Sequence, residues 1–256
     1  MKKIGVLGLF FALIIALSAC GTSDDGGNGK NKTYRVGIDT TYPPFEYEEG
    51  GKYKGIDIDV MNAIAKSQGF KVKYSAMDFL GIIPAMQAGD LDMAIAGMSI
   101  TDKRKKVVDF SDPYFNAGLS LVVKKGTKDI KTINDLKGKQ VAVKKGTTGA
   151  AFAAEKADKI GFKVVQFNDS PSMFQEVSNG SSDVLIEDYP VIAYAISKKD
   201  LGLEIVGDRL NGDKYGIAVL KGENGDLLKK VNKGLAELKK NGKYDEIIKK
   251  YLGDQK

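Results

Sequence analysis

The sequence predicts an α/β fold with mostly parallel sheet, and three observations carry that prediction. Short apolar, β-branched runs alternate with helical runs along the chain, the pattern of strand–helix–strand units. Glycines stand just past several helical runs, where a left-handed C-terminal cap is wanted. The residues with most chemical character (Asp39, Gly97, Ser99, Lys144 and Asp188) stand at the ends of apolar runs, where open α/β sheets carry their ligands.

Tyr34–Ile38 reads as the first strand. Asp57–Ser67 reads as a helix, with Val60, Met61, Ile64 and Ala65 toward one side and Gly69 past its end. Lys71–Ala76 alternates as a strand. Ile82–Ala88 is helical, with Pro84 expected in its first turn, where it is tolerated. The apolar run Leu91–Ala96 holds a strand over Met93–Ala96. A second unit starts near Gly118. Leu119–Val123 is a strand, and Thr132 starts a short helix ending before Gly138. Val141–Val143 is a strand running into Gly146-Thr147-Thr148-Gly149, and Ala150–Ala157 is an alanine-rich helix. Val164–Phe167 is a strand. Ser170-Pro171 opens a helix as cap and proline, closed at Gly180. Val184–Ile186 is a strand ending in Glu187-Asp188, followed by a helix from Pro190 to Ser197. Tyr215–Leu220 is a strand, Asp226–Lys240 a long amphipathic helix and Lys243–Tyr251 a last helix.

The N-terminus reads as a targeting segment, residues 1–19. Lys2 and Lys3 give a charged start, and Ile4 to Ala16 is an apolar core shorter than a spanning helix. Leu17-Ser18-Ala19-Cys20 looks like a bacterial lipobox, which implies cleavage before Cys20 and lipidation of its sulfur. The other reading is an ordinary secretory signal cut after Ala19. Cys20 is the one cysteine among 256 residues, which favours the anchor and excludes an intramolecular disulfide. Residues 20–32 are polar and glycine-rich, as in a flexible tether. The expected location is the extracytoplasmic face of the cell membrane.

Composition narrows the chemistry. Histidine is absent, which removes His triads, His bases and His metal ligands. No carboxylates have calcium-loop spacing, and Gly126 and Gly146 stand in no phosphate loop. No metal, cofactor or catalytic group is expected. The formal charge of +6 comes from scattered lysines, which read as a basic surface beside an anionic envelope and not as a nucleic-acid site. A monomer is expected.

The segment from Gly97 to Arg104 is the most informative. It turns out of an apolar strand, Thr101 or Asp102 stands where a cap is needed, and Arg104 lies about one helical turn in. Free backbone N–H groups at such a turn suit an anion, and arginine grips a carboxylate through two hydrogen bonds. On spacing alone, a capped helix with a solvated arginine is an equal reading.

The order of motifs weighs against that plainer reading. Asp39-Thr40-Thr41-Tyr42-Pro43-Pro44-Phe45, Gly55-Ile56-Asp57-Ile58-Asp59-Val60, Met77-Asp78-Phe79 and Gly81-Ile82-Ile83-Pro84-Ala85-Met86 come first. The Gly97–Arg104 segment and Asp109-Phe110-Ser111-Asp112-Pro113-Tyr114 follow. Together they resemble the polar amino-acid-binding solute receptors of ABC importers, from about Tyr34 to Leu252, with glutamine-binding proteins the nearest likeness. The resemblance implies a two-lobed, type II periplasmic-binding-protein-like fold. Lobe one would be 33–114 plus 214–256, lobe two 118–209, and the hinge would lie near 115–117 and 210–213. It also implies a permease and a cytoplasmic ATPase as partners and a free L-amino acid as ligand.

By position, the resemblance gives Arg104 the α-carboxylate, helped by the N–H groups of Ser99 and Thr148. It gives Asp188 the α-ammonium, helped by the Gly97 carbonyl and the Ser99 hydroxyl. Tyr42 and Phe79 would wall the alkyl chain, although core packing also explains them. Asp39, Lys144 and Glu187 would choose the side chain. Lys144 disfavours a cationic ligand and points to glutamine. Glu187, standing where a glutamine-binding relative carries histidine, either pairs with Lys144 or admits arginine, lysine, histidine or cystine. An enzyme similar to cyclohexadienyl dehydratases has only Glu187 as a candidate acid or base, and a surface adhesin is the remaining alternative.

Overall fold

A computed structural model describes residues 32–253 of the chain. The first stretch contains β1 (Thr33–Ile38), β2 (Thr41–Tyr42), β3 (Glu46–Glu49), β4 (Lys52–Lys54), α1 (Ile56–Gln68), β5 (Lys71–Ala76), α2 (Phe79–Gln87), β6 (Met93–Ala94) and β7 (Val108–Phe110). A crossing strand, β8 (Phe115–Asn116), leads to β9 (Leu119–Lys124), β10 (Gln140–Lys144), α3 (Thr148–Ile160) and β11 (Lys163–Phe167). Then come α4 (Ser170–Ser178), β12 (Val184–Asp188), α5 (Tyr189–Lys198) and β13 (Leu203–Val206). A second crossing strand, β14 (Lys214–Tyr215), returns the chain to β15 (Ala218–Leu220), α6 (Gly225–Lys240) and α7 (Lys243–Leu252).

Two five-stranded sheets form two lobes, in the orders β5-β1-β6-β15-β7 and β11-β10-β12-β9-β13. The crossing strands β8 and β14 pair with each other in an antiparallel ribbon between the lobes. The sheets are mostly parallel, as the sequence pattern predicts, with one strand in each reversed. β5, β1 and β6 are parallel, as are β11, β10 and β12. β15 and β9 each run antiparallel to both neighbours. Each of these strands follows a crossing, so the chain enters the sheet from the ribbon side, against the direction of the crossover strands.

Local chemistry sets the element ends. Gly69 and Gly161 cap α1 and α3 in the left-handed region, φ 73 and 87, where a side chain is strained. Thr147 caps α3, its side chain accepting from the Ala150 N–H. In α4 the cap is Asp169, not Ser170: the Asp169 carboxylate accepts from Ser172 N at 2.8 Å, and Ser170 is buried and turned inward. α2 starts at Phe79, because Phe79, Ile82 and Met86 form its buried face. Pro84 therefore falls in the second turn, and the first turn is tightened by Gly81 N donating to Asp78 O at 2.8 Å. Regular pairing of β6 ends at Ala94, with Ile95 N still donating to Gly37 O. The run Tyr215–Leu220 is broken at Gly216 and Ile217, so its first residue belongs to the ribbon and its last three to the sheet. The meander β2–β4, the strands β7 and β8, and β13 are additions that no periodic pattern in the sequence announces.

The first lobe packs α1 and α6 on its sheet. Val36, Ile38, Ile56, Val60, Met61 and Ile64 are buried together with Val231, Leu235 and Leu238. Each such side chain contributes about 1.5–3 kcal/mol on burial. Gly234 lets the helices meet: a Cβ there would stand 2.9 Å from Ile64. Cys20 and residues 1–31 lie outside the described residues. Among the described residues no helix is long and apolar enough to cross a membrane.

Candidate functional site

A small cavity lies between the lobes. Tyr42, Phe79, Gly97, Ser99 and Arg104 line it from lobe one, and Lys144, Thr147, Thr148 and Asp188 from lobe two. The predicted residues thus converge, except that Asp39 and Glu187 stand behind the lining. Thr147 is an addition.

One end of the cavity is made by Arg104 and backbone. Arg104 is 9% exposed and sits in a 3₁₀ turn, Arg104–Lys106, whose first N–H donates to Thr101 Oγ1 at 3.2 Å. Its guanidinium donates to Ser99 O at 2.7 Å and, across the lobes, to Gly146 O at 3.0 Å. It lies over the Phe79 ring at 5.1 Å. Ser99 forms an isolated antiparallel bridge with Tyr215. The hydrogen bonds of that bridge belong to Ile100 N and Met98 O, so the N–H and C=O of Ser99 itself point away from the pairing edge. Its C=O meets Arg104, and its N–H faces the cleft side. Opposite stands the start of α3, where Thr148 holds the first helical position and its N–H has no partner inside the helix. Two backbone donors and a buried cation at one place suit a carboxylate.

The other end is made of buried oxygens. The Tyr42 hydroxyl from lobe one contacts Asp188 Oδ2 at 2.7 Å and Glu187 Oε1 at 3.0 Å in lobe two. The Tyr215 hydroxyl donates to the same Asp188 Oδ2 at 2.5 Å. Ser170 Oγ donates to Glu187 Oε2 at 2.6 Å, and Asp188 N donates to Glu187 Oε1. Burial, then the Asp188 charge, pushes the Glu187 carboxyl up to about 7. Burial also raises Asp188. Tyr42 has one hydroxyl proton, which cannot serve both carboxylates at once. A proton on Glu187 resolves that contact.

Lys144 is 2% exposed and donates to Asp39 Oδ2 at 2.5 Å across the lobes. Its ammonium stands 4.7 Å from the Tyr42 ring centroid and 5.9 Å from that of Phe79. Asp39 Oδ1 accepts from Thr41 N and Thr41 Oγ1. The pairing of Glu187 with Lys144, one of the two readings from sequence, is not the hydrogen bond formed: Lys144 takes Asp39, and Glu187 takes hydroxyls and a backbone N–H.

Gly97 sits at φ 50. A Cβ on it would stand 2.7 Å from the Tyr42 ring, so the aromatic wall needs this glycine. Its N–H donates to Asp57 Oδ2 at 2.8 Å, and the Tyr114 hydroxyl donates to the same carboxylate. Glu46 lies against Asp57. Burial lifts Asp57 to about 6 and, with the Asp57 charge, lifts Glu46 well above the usual carboxylate range. Sequence reasoning misses Tyr215, Thr41 and Ser170. Ser170 reads as a helix cap, and Tyr215 carries only a strand signal. Asp57 and Tyr114 stand inside quoted motifs without an assigned role.

The model of the bacterial extracellular solute-binding proteins, family 3, matches residues 34–254. The chain belongs to this family. It is 34% identical to the arginine-binding extracellular protein ArtP of Bacillus subtilis, over 100% of both chains. It is 35% identical to the ABC transporter glutamine-binding protein GlnH of the same organism, over 98% of both. Among solved structures, an ancestral arginine-binding protein bound to arginine is 48% identical. That match has a TM-score of 0.83 and covers 87% of this chain and 99% of that one. Family membership agrees with the motif order and with the two-lobed fold.

Proposed function

We propose that this protein is a receptor that binds free L-glutamine between its lobes, without chemistry, and delivers it to an ABC importer. It would work from a lipid anchor at Cys20 on the extracytoplasmic face. One observation carries the choice of ligand. The charged side chains that line the cavity are Arg104, Asp188 and Lys144. Arg104 answers the α-carboxylate and Asp188 the α-ammonium. Lys144 then asks for an acceptor on the ligand side chain, which the carbonyl of a primary amide supplies. A guanidinium or ammonium offers no acceptor and would leave Lys144 facing a like charge. The two charged ends of a zwitterion would bridge the lobes and favour closure about the β8–β14 ribbon by as much as the ligand prefers the closed form.

The test is calorimetry of the protein, freed of ligand by unfolding and refolding, against the twenty amino acids. Tight one-to-one binding of glutamine is expected, with asparagine weaker. A second reading, an arginine receptor, draws on the Glu187 carboxyl at about 7, which a guanidinium would return to its charged form. Arginine bound more tightly than glutamine, with that preference lost in Glu187→Gln, would replace the first reading by the second. Binding of no amino acid would sink both.

A further inference from the structure

Tyr215 touches the site three ways. Its backbone pairs with Ser99, the residue that presents its N–H beside Arg104. Its hydroxyl reaches Asp188 Oδ2 across the lobes at 2.5 Å. It lies in β14, one of the two ribbon strands that join the lobes. The residue is fully buried. Its ring packs edge-on to Phe45 at 5.0 Å and stacks with Phe115, its ribbon partner, at 6.0 Å. These contacts fix where the hydroxyl points.

We propose that Tyr215 is a positioning residue for ammonium recognition: its hydroxyl, with that of Tyr42, occupies Asp188 Oδ2 and leaves Oδ1 to receive the ligand ammonium. A carboxylate at the N-terminal boundary of α5 can turn about its side-chain bonds. Two hydroxyl donors on one oxygen remove that freedom, and preorganised charge binds more tightly than charge that must be ordered on binding. Because Tyr215 sits in the ribbon that joins the lobes, its bond ties the ammonium site to that connection. This inference rests on an α-amino acid being the ligand, and not on which amino acid it is.

The experiment compares glutamine with glutaramate, the same molecule without its α-ammonium, on the wild-type protein and on Tyr215→Phe. The phenylalanine keeps the ring and its packing. A hydrogen bond to a charged group is worth roughly ten- to a hundredfold, so glutamine affinity should fall by at least about tenfold. Glutaramate affinity should hardly change, so the ratio between the two ligands collapses. Tyr114→Phe, which removes another buried hydroxyl of the same aromatic block, should leave that ratio intact. In the background of Asp188→Asn, adding Tyr215→Phe should cost little more, since the residue acts through Asp188. Equal losses for both ligands, or additive losses in the double variant, would overturn the proposal. If the protein takes arginine in place of glutamine, the same ratio is read with arginine and 5-guanidinopentanoate. The glutamine reading can then fail while this one stands.

Discussion

The end of the cleft around Arg104 is built mainly from backbone, whereas the end around Asp188 is built from side chains that titrate. At the first end, carbonyls of Ser99 and Gly146 hold the guanidinium, and the edge of a bridge and the start of α3 present N–H groups. At the second, two carboxyls and two phenols share a buried space. Backbone donors keep their positions whatever the side chains do and carry no proton to lose. Buried carboxyls and phenols respond to pH, to neighbours and to the ligand's own charge. The difference teaches where the site can respond: the end around Arg104 keeps its charge and geometry, and the end around Asp188 carries the groups that titrate.

The largest effect expected is at Arg104, the one side-chain charge at the backbone end. Arg104→Ala removes the partner of a buried carboxylate, a loss of about 3–5 kcal/mol, so binding should fall by about two to four orders of magnitude in calorimetry. Arg104→Lys keeps the charge but loses the fork that reaches both Ser99 O and Gly146 O, and should recover only part of the affinity. Full recovery would show that charge, not the fork on its backbone frame, defines this end.

Stability against pH probes a buried carboxyl pair behind Gly97, outside both ends. Asp57 is lifted to about 6, and Glu46 is lifted well above its ordinary value. A folded state that keeps a proton which the unfolded chain releases above about pH 4.3 loses stability as pH rises through the folded value. Denaturant midpoints should therefore fall from pH 5 to pH 8. Glu46→Gln keeps a neutral side chain in place and should flatten that fall. The variant should gain stability over the wild type at pH 8 and little at pH 5, by about 1.4 kcal/mol for each tenfold difference in proton affinity that it removes. A wild-type midpoint that rises over this range would reverse the assignment.

Binding against pH probes the end around Asp188 itself. Glu187 stands at about 7 in the protein. An ammonium arriving beside Asp188 favours the ionised form, so binding releases a proton and affinity should rise a few-fold from pH 6 to pH 8. Calorimetry in two buffers of different ionisation enthalpy reads that proton directly. Glu187→Gln should abolish the pH trend while leaving Arg104 and Lys144 in place.

The two ends also differ in how far sequence can reach them. The backbone end is largely legible, because Gly97-Met98-Ser99 after an apolar run and Gly146-Thr147-Thr148 before a helical one mark a turn and the approach to a helix, although α3 starts at Thr148, ahead of the expected Ala150. Spacing alone leaves Arg104 open, and the order of motifs singles it out. At the other end, Glu187-Asp188 is visible at a strand end, but their partners are not. Tyr215 lies 27 residues from Asp188, and Tyr42 lies 146, so only the folding of two lobes onto each other joins them. Lys144 and Asp39, 105 residues apart, each stand out in the sequence and their pairing does not. The fold is legible where helices and strands alternate, and less so at β2–β4 and β13, whose short edges lack a periodic pattern. The one reversed strand in each sheet has a topological cause that no local pattern carries: β9 and β15 each follow a crossing between lobes.

The smallest effect expected is the sharpest test of the comparison. Thr148 lines the cavity, and its hydroxyl lies 3.5 Å from that of Ser99 across the lobes, at the outer limit of a hydrogen bond. What the carboxylate end uses is its N–H, at the first position of α3. Thr148→Ala keeps that N–H and exchanges a β-branched residue for a better helix former, while the cap at Thr147 is untouched. Affinity should change by less than about threefold, because a hydroxyl contact this long is worth at most about 0.5 kcal/mol net. A loss of tenfold or more would mean that the hydroxyl itself contacts the ligand. The carboxylate end would then be as dependent on side chains as the end around Asp188.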